Sequence, residues 1–300
     1  MDFSKNEVVD YIYQQMRKVL KEAPVSYIKW DMNRAFSEVF SNGNGRSYQG
    51  KVRHKYILGV YSLYERLIRE FPEILFESCA SGGARFDPGM LYYAPQAWTS
   101  DNTDAVDRIK IQYGTSYVYP ISSIGSHVSA SPNHQVFRTT SLETRGNVAY
   151  FGTFGYELDI TKLPEEELEQ MKEQITFMKQ NRKLIQQGVF YRLKSPFEGN
   201  NSAWQVVSED RSEGLMAYFR TLQPAQGKFE RIYLKGLEEK AKYSVQECFG
   251  EKVDCGTHYG DELMYAGFSV SDRAAGLFSV PRGNQGDYFS RLFYLKKVEE

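Results

Sequence analysis

Val25-Ser26-Tyr27-Ile28-Lys29-Trp30-Asp31 is a short β-rich run that closes on polar residues, and Asn42-Gly43-Asn44-Gly45 follows it as a turn-forming loop. Such a run reads as a strand whose C-terminal end meets a loop. Before it, residues 5 to 22 set Val8, Val9, Ile12, Tyr13, Met16, Val19 and Leu20 at helical spacing, and Ala23-Pro24 stops the helix. The same unit returns after it. A helix over 51 to 70, with Tyr56, Val60, Leu63, Tyr64, Leu67 and Ile68 on its stripe, leads into the strand Ile74-Leu75-Phe76-Glu77-Ser78-Cys79 and a glycine-rich loop. Further strands are predicted at Ala97 to Ser100, Tyr117 to Ile121 and Val148 to Gly152, with a helix from Thr103 to Tyr113 between the first two. Alternation of this kind argues for parallel βα units.

Pro164 followed by Glu165-Glu166-Glu167 is a helix start, with proline preset for the first turn and acids facing the positive end of the dipole. Leu168, Met171, Ile175 and Met178 give that helix a buried stripe. After residue 190 the texture changes to short alternating segments: Gly214 to Leu222, Arg231 to Leu234, Tyr243 to Cys248 and Tyr288 to Leu295. Turns rich in Gly, Asn, Asp and Glu separate them, the pattern of an antiparallel β-sandwich. The expected division is 1–190, parallel βα, and 191–300, β-sandwich.

Composition narrows the function classes. Of 300 residues 41% are hydrophobic and 25% charged, which excludes disordered and fibrous chains. Lys+Arg 37 against Asp+Glu 38 leaves a net charge of -1, so no basic field attracts nucleic acid or anionic lipid. The 22 Tyr, 19 Phe and 3 Trp supply faces for stacking on sugars, though most of them serve a core. No apolar signal region opens the sequence, no ~18-residue apolar run crosses a membrane, and Cys79, Cys248 and Cys255 are too few and too scattered for a zinc site. A reducing, cytoplasmic compartment is expected.

In parallel βα architectures, polar residues at the C-terminal ends of strands face the ligand. Asp31, Cys79 and Asp101, the last in Trp98-Thr99-Ser100-Asp101, hold such positions. Two carboxylates from different strand ends are what glycoside hydrolysis needs, one to attack and one to manage the leaving group's proton. The plain alternative for each is an N-cap of the next helix. That alternative leads for Asp104, and a turn leads for Asp87 before Pro88-Gly89. His54 and His258 read as surface residues, and His127 and His134 as hydrogen-bonded loop residues. No metal is expected. Gly-x-Ser-x-Gly is absent, and Ser81-Gly82-Gly83-Ala84-Arg85 lacks both phosphate-loop patterns, which leaves close backbone approach to a neutral ligand.

Longer strings go further than pattern. Tyr27-Ile28-Lys29-Trp30-Asp31-Met32-Asn33-Arg34 resembles the nucleophile motif of glycoside hydrolase family 36 α-galactosidases, and Cys79-Ala80-Ser81-Gly82-Gly83-Ala84-Arg85-Phe86-Asp87 resembles their sugar-binding loop. Gln96-Ala97-Trp98-Thr99-Ser100-Asp101-Asn102-Thr103-Asp104-Ala105 resembles their acid/base motif. The likeness continues through Ile121 to Ser129 and Phe137-Arg138-Thr139-Thr140.

This resemblance implies an α/β fold, the latter part of a (β/α)8 TIM barrel (about strands 4 to 8) followed by the β-sandwich. It implies retaining hydrolysis of terminal α-linked galactose, as in melibiose or raffinose, without a cofactor, with Asp31 as nucleophile and Asp101 as acid/base. Lys29 and Asn33 would hold galactose hydroxyls, Cys79 and Gly82 would meet the 2-hydroxyl, and Trp98 would wall the pocket. Family 36 enzymes are longer and carry a β-sandwich and three more barrel strands before the point where Met1 stands here, so little activity is expected of this chain alone. The resemblance leaves room for a homo-oligomer of the full-length enzyme. Two rivals remain: a transglycosylase of the raffinose-synthase type, and a non-catalytic galactose-binding fragment.

Overall fold

A computed structural model describes residues 1–33, 37–225, 230–249, 253–270 and 286–299. The chain divides into two compact units, Met1–Asp101 and Asn102–Glu300.

The first unit is built of α1 (Asn6–Glu22), β1 (Tyr27–Asp31), α2 (Val52–Glu70), β2 (Leu75–Cys79), a short α3 (Pro88–Tyr93) and β3 (Gln96–Trp98). The three strands are parallel and lie in the order β1-β2-β3. Prolines set the helix ends. Ala23 before Pro24 is extended (φ -123, ψ 141), because a residue preceding proline is excluded from the helical region. Ile28, Trp30 and Phe76 pack on Tyr64, Leu67 and Leu63 of α2, so alternate strand residues face the helices. Burying one such side chain contributes about 1.5–3 kcal/mol. On the other face Tyr27, Lys29 and Asp31 are exposed.

The second unit continues with α4 (Ala105–Thr115), β4 (Ile124–Ser129), α5 (Leu142–Ala149), β5 (Thr153–Glu157) and α6 (Glu165–Gln187). Here β4 and β5 pair in parallel. Then come β6 (Val189–Lys194), β7 (Asn201–Val207), β8 (Glu213–Arg220), β9 (Arg231–Ile232), β10 (Lys242–Glu247), β11 (Asp254–Tyr259), β12 (Phe268–Ser269) and β13 (Phe289–Lys297). Six of these form an antiparallel sheet in the order β11-β10-β13-β8-β7-β6, and β9 pairs with β12. One face of the large sheet, with Trp204, Leu215, Ala217 and Leu292, packs on Ile109, Val148 and Leu184 of the helices. Its other face, with Met216, Tyr218 and Phe293, packs on Ile232, Leu234 and Phe268, the second layer of the sandwich. Buried polar bonds add register: Asn147 Nδ2 donates to Ser290 Oγ (2.9 Å), which donates to Thr144 Oγ1 (3.0 Å). The fold class is therefore the expected one, a partial (β/α)8 barrel followed by an antiparallel β-sandwich.

Two predicted strands are corrected. Tyr117 to Ile121 is turn, with Tyr117 N–H bonded to Gly114 O and Val118 N–H to Thr115 O, and the strand is Ile124–Ser129. Tyr117 and Val118 are β-favouring but exposed, Pro120 offers no donor, and the ladder forms where Ile124 and Val128 are fully buried. Val148 lies in the last turn of helix α5, whose N-cap Ser141 accepts from Thr144 N–H, and the strand starts only at Thr153. Burial decides these positions over β-propensity: Val148 is buried on the helix, and Tyr150 and Phe151 are buried in the turn after it.

Candidate active site

Parallel pairing places register partners on one face. Lys29 stands beside Glu77 and Asp31 beside Cys79, while Glu77 stands beside Gln96. Asp31 and Cys79 are the last residues of their strands. The open face is thus layered: Tyr27 lowest, then Lys29, Glu77 and Gln96, then Asp31 and Cys79 at the rim.

Asp31 is anchored by its neighbours. Asn33 Nδ2 donates to Asp31 Oδ2 (2.7 Å), and Asn33 Oδ1 accepts the Ser81 N–H (2.9 Å), so one amide joins the strand end to the glycine loop. The Cys79 thiol is hydrogen-bonded to the Asp31 carboxylate and receives the Gly82 N–H. Burial, above all, pushes this thiol up to about 11, the Asp31 carboxylate adds to the rise, and the Gly82 N–H and Lys29 oppose it. A thiol so raised keeps its proton near neutral pH, which makes Cys79 a poor nucleophile.

Lys29 Nζ lies 4.7 Å from the centroid of the buried Trp98 ring, a cation–π seat that fixes the ammonium over the open face. Gly82 (φ 78) has its backbone against the chain leading to Asp101. Of the seven residues singled out in the sequence, six (Lys29, Asp31, Asn33, Cys79, Gly82 and Trp98) are joined by these contacts. Asp101 is joined through its backbone to Gly82. Arg34 of the first motif lies outside the described residues.

Three further residues, not among the seven, shape this face. Arg85 Nη2 donates to Trp30 O (2.9 Å) and Cys79 O (2.6 Å), clamping the ends of β1 and β2 together. Glu77, 1% exposed, accepts from the Tyr27 hydroxyl and from Gln96 Nε2, while its Oε1 is buried without a partner among the described residues. Ser81 carries φ 47, rare for a residue with a side chain. A carboxylate between Phe76 and Ser78 in an apolar strand was the one legible signal.

Of the remaining candidates Asp104 holds the expected cap position, whereas Asp87, expected in a turn, is the N-cap of α3, and His127, expected in a loop, lies in strand β4. Asp104 caps α4 by accepting from Asp107 N–H, and Asp87 caps α3 by accepting from Met90 N–H. His54 and His134 are exposed, His258 bonds Glu262 and the Cys255 carbonyl, and His127 lies 3.3 Å from Glu157. Among the described residues no group of three or more His, Cys, Asp or Glu is placed to hold a metal, and no helix is long and apolar enough to cross a membrane.

Comparison with known proteins gives this geometry a family. The Melibiase family model matches residues 1–188, and that of the glycosyl hydrolase family 36 C-terminal domain matches residues 201–295. The α-galactosidase AgaA of Geobacillus stearothermophilus is 51% identical over 300 residues, which is 100% of this chain and 39% of that protein. Mel36A of Lactobacillus acidophilus is 44% identical over 99% of this chain and 38% of its own length. The crystal structure of a doubly substituted AgaA in complex with raffinose superposes with a TM-score of 0.91 over 99% of this chain and 39% of that one, at 51% identity. The α-galactosidase of Lactobacillus brevis gives 0.92 at 47% identity, covering 100% of this chain and 39% of its own. The chain spans about two-fifths of the length of these relatives and belongs, on both family models, to the melibiases of glycoside hydrolase family 36.

Proposed function

We propose that this chain carries the two catalytic carboxylates of a retaining α-galactosidase that releases terminal α-linked galactose from oligosaccharides such as melibiose and raffinose. The observation that supports this most directly is the Asp31 carboxylate at the end of β1, held by Asn33 and Cys79, with Asp101 beyond the end of β3 and touched by the same loop. AgaA, with its sugar complex, adds support by similarity.

In the proposed mechanism Asp31 attacks the anomeric carbon from the β face while Asp101 protonates the glycosidic oxygen and the aglycone departs. Asp101 then takes a proton from water, which displaces the Asp31 ester and releases α-galactose. Carboxyl groups roughly 5 to 5.5 Å apart suit this double displacement, whereas inversion needs a wider gap for a water. Lys29 and Asn33 hold galactose hydroxyls, the Cys79 and Gly82 side lies against the 2-hydroxyl, and Trp98 walls the pocket while seating Lys29. We further infer a cytoplasmic enzyme with no nucleic-acid or membrane partner, organised as 1–190 and 191–300, with homo-oligomerisation left to the full-length form.

The test is galactose release from raffinose by the 300-residue chain alone and with the remaining segments of the Geobacillus relative restored. Little activity alone and robust hydrolysis when restored is expected, because positioning the sugar supplies ~7 to 11 kcal/mol of the barrier and draws on the whole pocket. No galactose from the restored chain would contradict the reading. Transfer to added sucrose in preference to water would assign a transglycosylase instead.

A further inference from the structure

The turn Ser81-Gly82 stands between the two aspartates. Asn33 holds it on one side, donating to Asp31 Oδ2 at 2.7 Å and accepting the Ser81 N–H at 2.9 Å. On the other side, a Cβ built on Gly82 would lie 2.6 Å from Ser100 Cα and 3.1 Å from Asp101 N. Gly83 approaches the same segment, its Cβ position 3.0 Å from Thr99 O. The turn is committed to this shape. Ser81 (φ 47) and Gly82 (φ 78) are both left-handed, and the Ala80 N–H closes on Gly82 O at 3.1 Å. A serine there persists only where its surroundings over-determine it.

The two aspartates are fixed by different means. Asp31 ends a paired strand, so the β1-β2 register sets its place. β3 ends at Trp98, three residues before Asp101. The chain that carries Asp101 runs past the end of β3, and its Ser100-Asp101 backbone lies against Gly82. Retention tolerates only a narrow carboxyl separation.

We propose that the Ser81-Gly82 turn is the spacer that sets the distance between the Asp31 and Asp101 carboxyls, with Asn33 as its anchor on the Asp31 side. Gly82 is then a positioning residue acting through Asp101, and the role rests on the assignment of Asp31 and Asp101 as nucleophile and acid/base. It differs from clearance for a 2-hydroxyl in direction, since all three atoms nearest a Gly82 Cβ belong to Ser100 and Asp101.

The experiment compares Gly82→Ala and Asp101→Ala in the active enzyme, assembled as above, on raffinose and on 2,4-dinitrophenyl α-galactoside. A displaced acid/base impairs the poor leaving group far more than the activated one. Gly82→Ala is expected to lose about 100-fold in kcat/KM on raffinose, the scale of an ångström's misplacement, and less than about 10-fold on the activated substrate. Azide should accelerate turnover of the activated substrate and give α-galactosyl azide, as in Asp101→Ala. Equal losses on both substrates with no azide product would overturn the spacer and return Gly82 to hydroxyl clearance. If Asp101→Ala itself lacks the azide product, the acid/base assignment falls and takes the spacer with it. Should Gly82→Ala not fold, Gly83→Ala is the second variant, since the three atoms nearest its Cβ all belong to Thr99. The same signature at smaller amplitude is expected from it, and its absence there counts equally against the spacer.

Discussion

Cys79 closes β2 directly beside Asp31 at the end of β1, and its thiol is hydrogen-bonded to the Asp31 carboxylate. A thiol raised from 9.0 to about 11 keeps its proton across the neutral range, so iodoacetamide should label Cys79 roughly 100-fold more slowly than free cysteine near neutral pH. Labelling at the free-cysteine rate, read by peptide mass, would contradict this environment.

The same shift makes a stability prediction. The unfolded thiol ionises near 9.0 and the folded one near about 11, so the unfolded chain releases its proton first. The contribution is full below the lower value and is lost as pH rises through the upper one. Urea unfolding should show stability falling across that window less steeply in Cys79→Ala than in the parent. Parallel curves would place the titration elsewhere.

Cys79→Trp should block the site without unfolding the sheet, because the side chain stands at the strand end on the ligand face. Loss of turnover with an unchanged circular dichroism spectrum is expected. An unchanged Michaelis constant and turnover would remove Cys79 from the pocket.

Arg85 ties the Trp30 and Cys79 carbonyls, and hydrogen bonds from a charged donor contribute about 1.5–3 kcal/mol. Arg85→Met should cost on the order of 2–4 kcal/mol in denaturant unfolding and lower kcat, with Arg85→Lys between. A cost within about 0.5 kcal/mol, the scale of an ordinary surface substitution, would show that the strand ends hold without the clamp.

Much of the fold was legible in residues whose burial and propensity agree. The strand Tyr27–Asp31 and the helices around it were read within two residues, because Val9, Tyr64 and Phe76 repeat at helical or strand spacing and prolines mark the stops. The reading failed at Tyr117 and Val148, where β-favouring side chains sit on a surface turn and a buried helix, since propensity is decided by tertiary context. Asp31 and Asp101 stand out as candidates from their motifs. What spacing could not reveal is contact between segments: Arg85 reaching back to two carbonyls, Glu77 buried under the site, and Gly82 lying on Ser100.

Trapping with 5-fluoro-α-galactosyl fluoride tests the central claim most directly, because the covalent ester it leaves marks the residue that attacks. Digestion and mass spectrometry of the inactivated, restored enzyme should find the 5-fluorogalactosyl adduct on Asp31, fluoride having left C1, in the peptide containing Lys29-Trp30-Asp31-Met32-Asn33, with Asp31→Ala unlabelled. An adduct on any other residue, or labelling that survives in Asp31→Ala, would contradict the account.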